Sequence, residues 1–136
     1  MSDSPSDDSP HRRPHAAPMD APFLEFDIGR ELEQLRSEPA WNRGQNAKTL
    51  VKYEDFRIVL LAMTTGAKLP THRTKGRISI HTLAGRVVIR AEGRTFDLPA
   101  GALIALDLDL PHDVEALEES ACLLTIAWPR GGEGQV

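Results

Sequence analysis

Apolar and polar residues alternate along most of the chain after residue 47, and this period of two predicts β-strands. In the segment 86–91, Val87, Ile89 and Ala91 share one face while arginines occupy the other. Further strands are predicted at 48–53, 56–64, 77–83, 94–98, 102–108, 112–116 and 120–128. Glycines spaced 8 to 10 residues apart mark turns between them. This rhythm is typical of antiparallel sandwiches and barrels.

The segment 22–46 departs from that alternation, because its apolar residues recur at helical spacing. Asp27 can act as the N-cap of a short helix over 27–36, whose apolar side chains fall on one face. We expect this face to pack against the β domain or against a second subunit. The segment therefore contributes packing rather than chemistry.

The two ends of the chain are not expected to contribute to a folded core. Residues 1–21 are rich in Pro, Ser and Asp and have almost no large apolar side chains, so we predict a disordered tail. Residues 130–136 are predicted to form a flexible C-terminus. The remaining 47–129 is long enough for one domain, and the overall 40% hydrophobic and 26% charged residues are typical of a globular protein.

Charge and composition exclude several classes of partner. A net charge of -4 offers no basic field for nucleic acid, and no apolar run is long enough to cross a membrane. The sequence therefore predicts a cytoplasmic protein that binds neither nucleic acid nor membranes. Its single cysteine, Cys122, lies in an apolar run and is predicted to be a buried core thiol.

Two histidines follow prolines at places where strands are expected to begin. His72 comes after a turn that contains glycine and proline, and His112 comes directly after Pro111. Because His112 alternates with Val114 and Ala116, its imidazole is expected to point into the domain. An imidazole on an apolar face needs a hydrogen-bond partner. The two histidines are therefore the candidate functional groups, unless both are ordinary core residues bonded to backbone.

The spacing around these histidines resembles the two sequence motifs of cupins over residues 47–128. The first cupin motif has a glycine, His-x-His, a glutamate and a second glycine, and the second motif has a glycine, a Pro-x-Gly turn, a histidine and an asparagine. The matching positions are Gly66, His72 and Gly85 in the first motif and Gly101 and His112 in the second. The resemblance implies an all-β fold, an antiparallel jelly-roll barrel with one short N-terminal helix.

The resemblance also assigns the site, with departures from the cupin pattern. It implies that His72, Thr74, Ile78 and His112 surround the ligand, and that His72 and His112 are the metal ligands if a metal binds. Thr74 stands at the position of the second cupin histidine and Ile78 at that of the glutamate. Catalytic zinc and iron sites generally need three protein ligands. His81 is no substitute, because it lies an odd number of residues after Ile78 and so on the opposite face of the strand.

Three functions remain open from the sequence. The leading interpretation is a cupin-like domain that binds a small molecule in the barrel, with a degenerate or weak metal site. The sequence leaves the cofactor open, either none or a divalent metal such as Fe, Mn, Zn or Ni. The second is a metal-dependent cupin enzyme of dioxygenase or isomerase type, in which His72 and His112 hold Fe, Mn, Zn or Ni with a substitute ligand. The third is a structural or regulatory dimeric scaffold. A homodimer is expected in each case, formed through the barrel's apolar outer surface and the N-terminal segment.

Overall fold

The computed structural model describes residues 21–129 of the 136-residue chain. The predicted tail, apart from Ala21, and the predicted flexible C-terminus lie outside the described residues. The helical elements are α1 (Ile28–Ser37) and a 3-10 turn, η1 (Pro39–Arg43). The strands are β1 (Gln45–Lys52), β2 (Phe56–Met63), β3 (Lys68–His72), β4 (Arg77–Ala84), β5 (Arg86–Ala91), β6 (Arg94–Pro99), β7 (Leu103–Leu106), β8 (His112–Ala116) and β9 (Ser120–Ala127).

The strands form two antiparallel sheets. The larger sheet has the order β1-β2-β9-β4-β7, and the smaller has the order β3-β8-β5-β6. Strands that are distant in sequence therefore lie side by side, as β2 and β9 do. This arrangement confirms the predicted all-β class with one short helix and an antiparallel jelly-roll barrel.

The main core lies between the two sheets and follows from the alternation within each strand. In β5, Val87 and Ile89 are fully buried while Arg86 and Arg90 are exposed on the other face. Inward-facing residues of both sheets form one cluster. Its fully or almost fully buried members are Leu61, Met63, Ile78, Ile80, Val87, Ile89, Leu98, Leu106, Val114, Ala116 and Cys122. Cys122 is thus a core thiol, and burial raises its pKa to about 11.

A second core lies on the outer face of the larger sheet, where helix α1 covers it. Asp27 caps the helix by accepting a hydrogen bond from the backbone N–H of Arg30, as the sequence predicts. Leu35 is fully buried against Leu50 and Leu60 of the sheet. The helix therefore packs against the main domain. No helix in the described residues is long and apolar enough to span a membrane.

The eight predicted strands are all present, but β3 was not predicted as a strand of its own. The sequence was expected to place His72 at the start of a strand, whereas the structure places it at the end of β3. Pro70, a residue type that is common in turns, lies inside this strand. Proline is tolerated there because β3 is the edge strand of the smaller sheet.

Candidate functional site

His72 and His112 lie directly opposite each other on neighbouring strands. His72 ends β3, His112 begins β8, and the two residues are partners in the β3–β8 register. Their ring centroids are 4.4 Å apart, with the ring planes tilted by 55°. Residues far apart in sequence thus form one pair of imidazoles at one end of the barrel, which we call the histidine end.

A β-bulge in β3 allows this pairing. Leu69 pairs with Val114, and three residues later His72 pairs with His112, only two residues from Val114. In a regular strand Leu69 and His72 would point to opposite faces. The extra residue is absorbed between them, so Leu69 packs against the core while His72 remains on the same side as His112.

The backbone fixes how both imidazoles are oriented. Nδ1 of His72 lies 3.1 Å from the carbonyl oxygen of Pro70, and Nδ1 of His112 lies 3.0 Å from that of Leu110. A carbonyl oxygen only accepts hydrogen bonds, so each neutral ring carries its proton on Nδ1 and donates it. Both Nε2 atoms therefore keep a lone pair with which to bind a donor group or a cation.

The two histidines differ sharply in exposure. His112 is only 2% exposed, whereas His72 is exposed at the sheet edge. His72 is therefore not buried in the barrel as His112 is, because β3 has no neighbour on its outer side. Burial, and less strongly the nearby charge of His72, lowers the pKa of His112 below its ordinary value. His112 is thus neutral at physiological pH.

The Nε2 atom of His112 has no hydrogen-bond partner among residues 21–129. Leaving a buried polar atom unpaired costs about 1–3 kcal/mol. Such an atom in a folded protein calls for an explanation, and a missing ligand is one.

The other two predicted site residues contribute no charged donor. Thr74 lies in the loop after β3, where its hydroxyl accepts a hydrogen bond from the backbone N–H of Gly76. Ile78 is 4% exposed and belongs to the main core. His81 lies on the opposite face of β4 from Ile78 and Ile80, as its position in the strand predicts.

A row of four residues crosses the whole smaller sheet at the histidine end. His112 pairs with His72 on one side and with Ala91 on the other, and Ala91 pairs in turn with Arg94. Arg94 shares the inward side of β6 with Phe96, and its guanidinium carbon lies 4.8 Å from the centre of the Phe96 ring. Between the imidazole and the guanidinium this row holds only the methyl group of Ala91.

Two adjoining cavities open beside this row. A groove of about 400 Å³, the histidine groove, follows the rim of the smaller sheet: it is bordered by Thr71, His112 and Arg94, and also by Arg90, Thr95 and Asp113 of the outer face. A cavity of about 210 Å³, the hairpin cavity, lies between the β5–β6 hairpin and β7. Both are also bordered by Ala91 and Glu92. The hairpin cavity is lined by Ala91, Arg94, Phe96, Ile104, Leu106 and Leu110, together with Glu92 and Ala105.

The facing row of the larger sheet is apolar over most of its width. Ile78 of β4 pairs with Leu106 on one side and with Ile126 on the other. All three belong to the main core or pack against it. The position at which cupins carry their glutamate is therefore in the middle of a hydrocarbon wall.

These residues do not fit a three-ligand catalytic metal centre. Within residues 21–129 no cluster of three His, Cys, Asp or Glu side chains is placed to hold a metal ion. The two Nε2 atoms supply two nitrogen donors, and the neighbouring Thr74 and Ile78 supply no carboxylate or imidazole.

Three basic side chains near the histidine end, those of Lys75, Arg77 and Arg90, have carboxylate partners. Arg77 lies 3.0 Å from Asp107, and Lys75 lies 3.5 Å from Asp109. Lys75 and Arg77 therefore join two loops together. Arg94, like Arg73, has no carboxylate partner among residues 21–129, and its described contact is with the ring of Phe96.

Sequence reasoning did not select Ala91 or Arg94. The signal was present, since two alternating strands joined by the two residues Glu92 and Gly93 imply that Ala91 and Arg94 are cross-strand partners. Gly93 has a φ of 74° and Glu92 a φ of 51°, which is the backbone geometry of a two-residue hairpin turn. Placing Arg94 beside His112 also requires the β5–β8 pairing, which the sequence does not state.

The fold is shared with many solved structures. A cupin of the RmlC-like type from Desulfovibrio desulfuricans is 27% identical, with a TM-score of 0.59 over 63% of this chain and 84% of that one. KdgF from Halomonas sp. is 20% identical, with a TM-score of 0.59 over 65% and 84%. A variant of salicylate 1,2-dioxygenase from Pseudoaminobacter salicylatoxidans is 13% identical, with a TM-score of 0.71 over 87% of this chain and 37% of that one. No family model and no curated protein sequence matches the chain.

The two-sheet barrel thus places the protein in the class of antiparallel jelly-roll proteins. Within that class, several of the solved structures that it resembles are named as cupins. The described part of the chain is a cupin-type domain, as the motif spacing around His72 and His112 indicated.

Proposed function

We propose that this domain binds a small molecule at the histidine end of the barrel through the paired imidazoles of His72 and His112, with Thr74 and Ile78 bordering the site. The unpartnered, buried Nε2 of His112 carries the proposal. A ligand with an N–H or O–H group would donate to this nitrogen and remove the cost of leaving it unpaired. No tightly bound metal is required.

The surroundings of the pair support a small ligand. His112 borders the histidine groove although its side chain is almost completely buried, and the adjoining hairpin cavity offers apolar walls. A volume of about 210 Å³ is below the roughly 300–1,000 Å³ of pockets for drug-sized molecules. One structurally similar protein, a variant of salicylate 1,2-dioxygenase, was solved in complex with gentisate.

The test is a binding screen read at the imidazole itself. The ring ¹⁵N signals of His112 and His72 are followed by NMR while phenol, small alcohols and hydroxybenzoates are added. We expect the Nε2 signal of His112 to shift, and binding to fall at least tenfold in His112→Ala, because one charge-neutral hydrogen bond and its contacts are lost. His81→Ala is the matched control, since His81 lies on the outer face. Equal binding to the His112→Ala and wild-type proteins would refute the proposal.

A metal-dependent cupin enzyme of dioxygenase or isomerase type is the second candidate. One observation favours it, because metal-binding histidines commonly donate their second N–H to a carbonyl, as His72 and His112 do. The donor set falls short of three, however, so we expect Fe, Mn, Zn and Ni to bind weakly. Elemental analysis of protein purified without an affinity tag decides the matter. Near-stoichiometric metal that is lost in His112→Ala would favour the enzyme.

The oligomeric state is a separate part of the proposal. Phe23 is 85% exposed and Leu103 is 60% exposed, and both would be shielded in the homodimer that we propose for this protein in the cytoplasm. Analytical ultracentrifugation of the wild type and of Leu103→Ser measures it directly. A dimer that binds no small molecule, and whose His72 and His112 variants still bind its protein partners, would favour the third function, a structural or regulatory scaffold.

A further inference from the structure

We infer that the ligand of this site is a small monocarboxylic acid with an apolar body, and that Arg94 binds its carboxylate. The inference rests on the proposed function, which assigns the hydrogen-bonding end of the ligand to His112. It adds the chemical class of the ligand and a second recognition residue.

The register places the two groups at a useful separation. His112, Ala91 and Arg94 are cross-strand neighbours on β8, β5 and β6. Neighbouring strands lie about 4.8 Å apart, so the backbones of His112 and Arg94 are about 10 Å apart with only a methyl group between them. A one-ring molecule in the hairpin cavity, which Ala91 and Arg94 border, would place its carboxylate at the guanidinium. To reach the imidazole of His112 with its other end, it must displace the side chains that cover this buried ring.

The charge at this position favours an anion. Arg94 has no carboxylate partner among residues 21–129, while Arg90, its neighbour on the outer face, contacts both Asp113 and Glu115. A guanidinium binds a carboxylate through two parallel N–H···O bonds, which is a stronger and more directional contact than a neutral hydrogen bond. The free cation on the inner side of the sheet is therefore the anchor for an acid.

The walls of the hairpin cavity select the rest of the molecule. Phe96, Ile104, Leu106 and Leu110 present hydrocarbon to the space beside Arg94. Two acidic residues oppose an anion: Asp113 borders the histidine groove but is paired with Arg90, and Glu92 borders both cavities. It belongs to the hairpin turn rather than to the inward row, so we expect it to weaken the binding of an anion without preventing it.

The experiment compares acids with their uncharged amides. 3-Hydroxybenzoate and 4-hydroxybenzoate, each with its primary amide, are titrated by calorimetry into the wild-type chain and into Arg94→Gln. We expect each acid to bind wild type about tenfold or more tightly than its amide, and Arg94→Gln to remove this preference, since a charge-assisted pair is lost. Thermal unfolding verifies that the exposed substitution leaves the fold intact.

Two further variants test the direction of the charge effect and provide a control. Glu92→Gln is expected to tighten acid binding and leave amide binding unchanged, because it removes a repelling charge. Arg43→Ala, which removes an exposed arginine of η1 far from the cavities, is expected to change neither.

The outcomes separate the inference from the proposed function. If acids and amides bind alike, or if Arg94→Gln keeps the preference for acids, while His112→Leu weakens both, the role of Arg94 is refuted and ligand binding at His112 stands. If none of these compounds binds, or if His112→Leu has no effect on any of them, both statements are refuted.

Discussion

At the histidine end, the two sheets that form the walls of the barrel carry different kinds of side chain. On the smaller sheet, imidazole and guanidinium groups flank Ala91. On the larger sheet, Ile78 and its neighbours Leu106 and Ile126 form a hydrocarbon wall. Leu106 and Arg94 border the same cavity, so the two walls face one space.

This contrast shows how the site differs from a metal centre on the same scaffold. A metal ion in such a barrel needs donors that converge from more than one direction. Here the donors come from one sheet and the opposite wall excludes water. An arrangement with polar groups on one side and apolar contact on the other suits an organic molecule with a polar edge.

The largest effect is expected when a carboxylate that could bind a metal ion is placed in the apolar wall. Ile78→Glu buries a carboxylate among hydrocarbon and should lower the free energy of unfolding by about 3–5 kcal/mol. Adding Ni²⁺ or Zn²⁺ should restore part of this loss, because the new carboxylate would join His72 and His112 as a third donor. Denaturant unfolding with and without metal measures both changes.

The matched control for that experiment is Ile80→Glu. Ile80 is also an inward residue of β4, but it lies one inward position further from the histidine end. It should lose as much stability and gain nothing from metal. Equal recovery in the two variants would show that the metal acts elsewhere on the chain.

The next largest effect compares how much a residue of each wall contributes to the free energy of unfolding. Leu106→Ala should lower the free energy of unfolding by about 2–4 kcal/mol, because it opens a cavity in the main core. His112→Leu should change it by less than about 1 kcal/mol, since it removes an unpaired nitrogen but leaves the Leu110 carbonyl without its donor. Urea denaturation compares them. A large loss in His112→Leu would mean that the imidazole serves the fold rather than a ligand.

The smallest effect concerns pH. Because the pKa of His112 is lower in the folded protein than in the unfolded chain, the folded state binds fewer protons, and stability rises with pH. The contribution is complete above the unfolded value of about 6.5 and is lost as pH falls through the lowered folded value. Melting temperatures should therefore fall below pH 6.5 more steeply in wild type than in His112→Leu. Parallel curves would contradict this assignment.

Much of the fold could be predicted because strand alternation and the helix cap are local features of the sequence. Alternation in β5 and β8 identifies their inner faces, and Asp27 identifies the start of the helix. Strand β3 was missed since Pro70 is ordinarily a turn residue and an edge strand tolerates it only through its tertiary position. Local pattern cannot state which strand lacks a neighbour.

The candidate site was predictable only in part for the same reason. The spacing of the motifs around His72 and His112 led to the pair, but the exposure of His72 depends on β3 being an edge strand. The neighbourhood of Arg94 depends on three pairings across four strands. Such long-range register is decided by the whole barrel, which is why the arginine was not singled out from the sequence.

The bulge in β3 has a consequence for comparing this chain with shorter ones. Because it absorbs one surplus residue between Leu69 and His72, a chain that lacks Thr71 would run through the same stretch as a regular strand and still set its histidine opposite His112. A one-residue gap at this point in a sequence alignment would therefore be neutral for the site. Homologues should be matched here by which residue faces the barrel, not by counting along the chain.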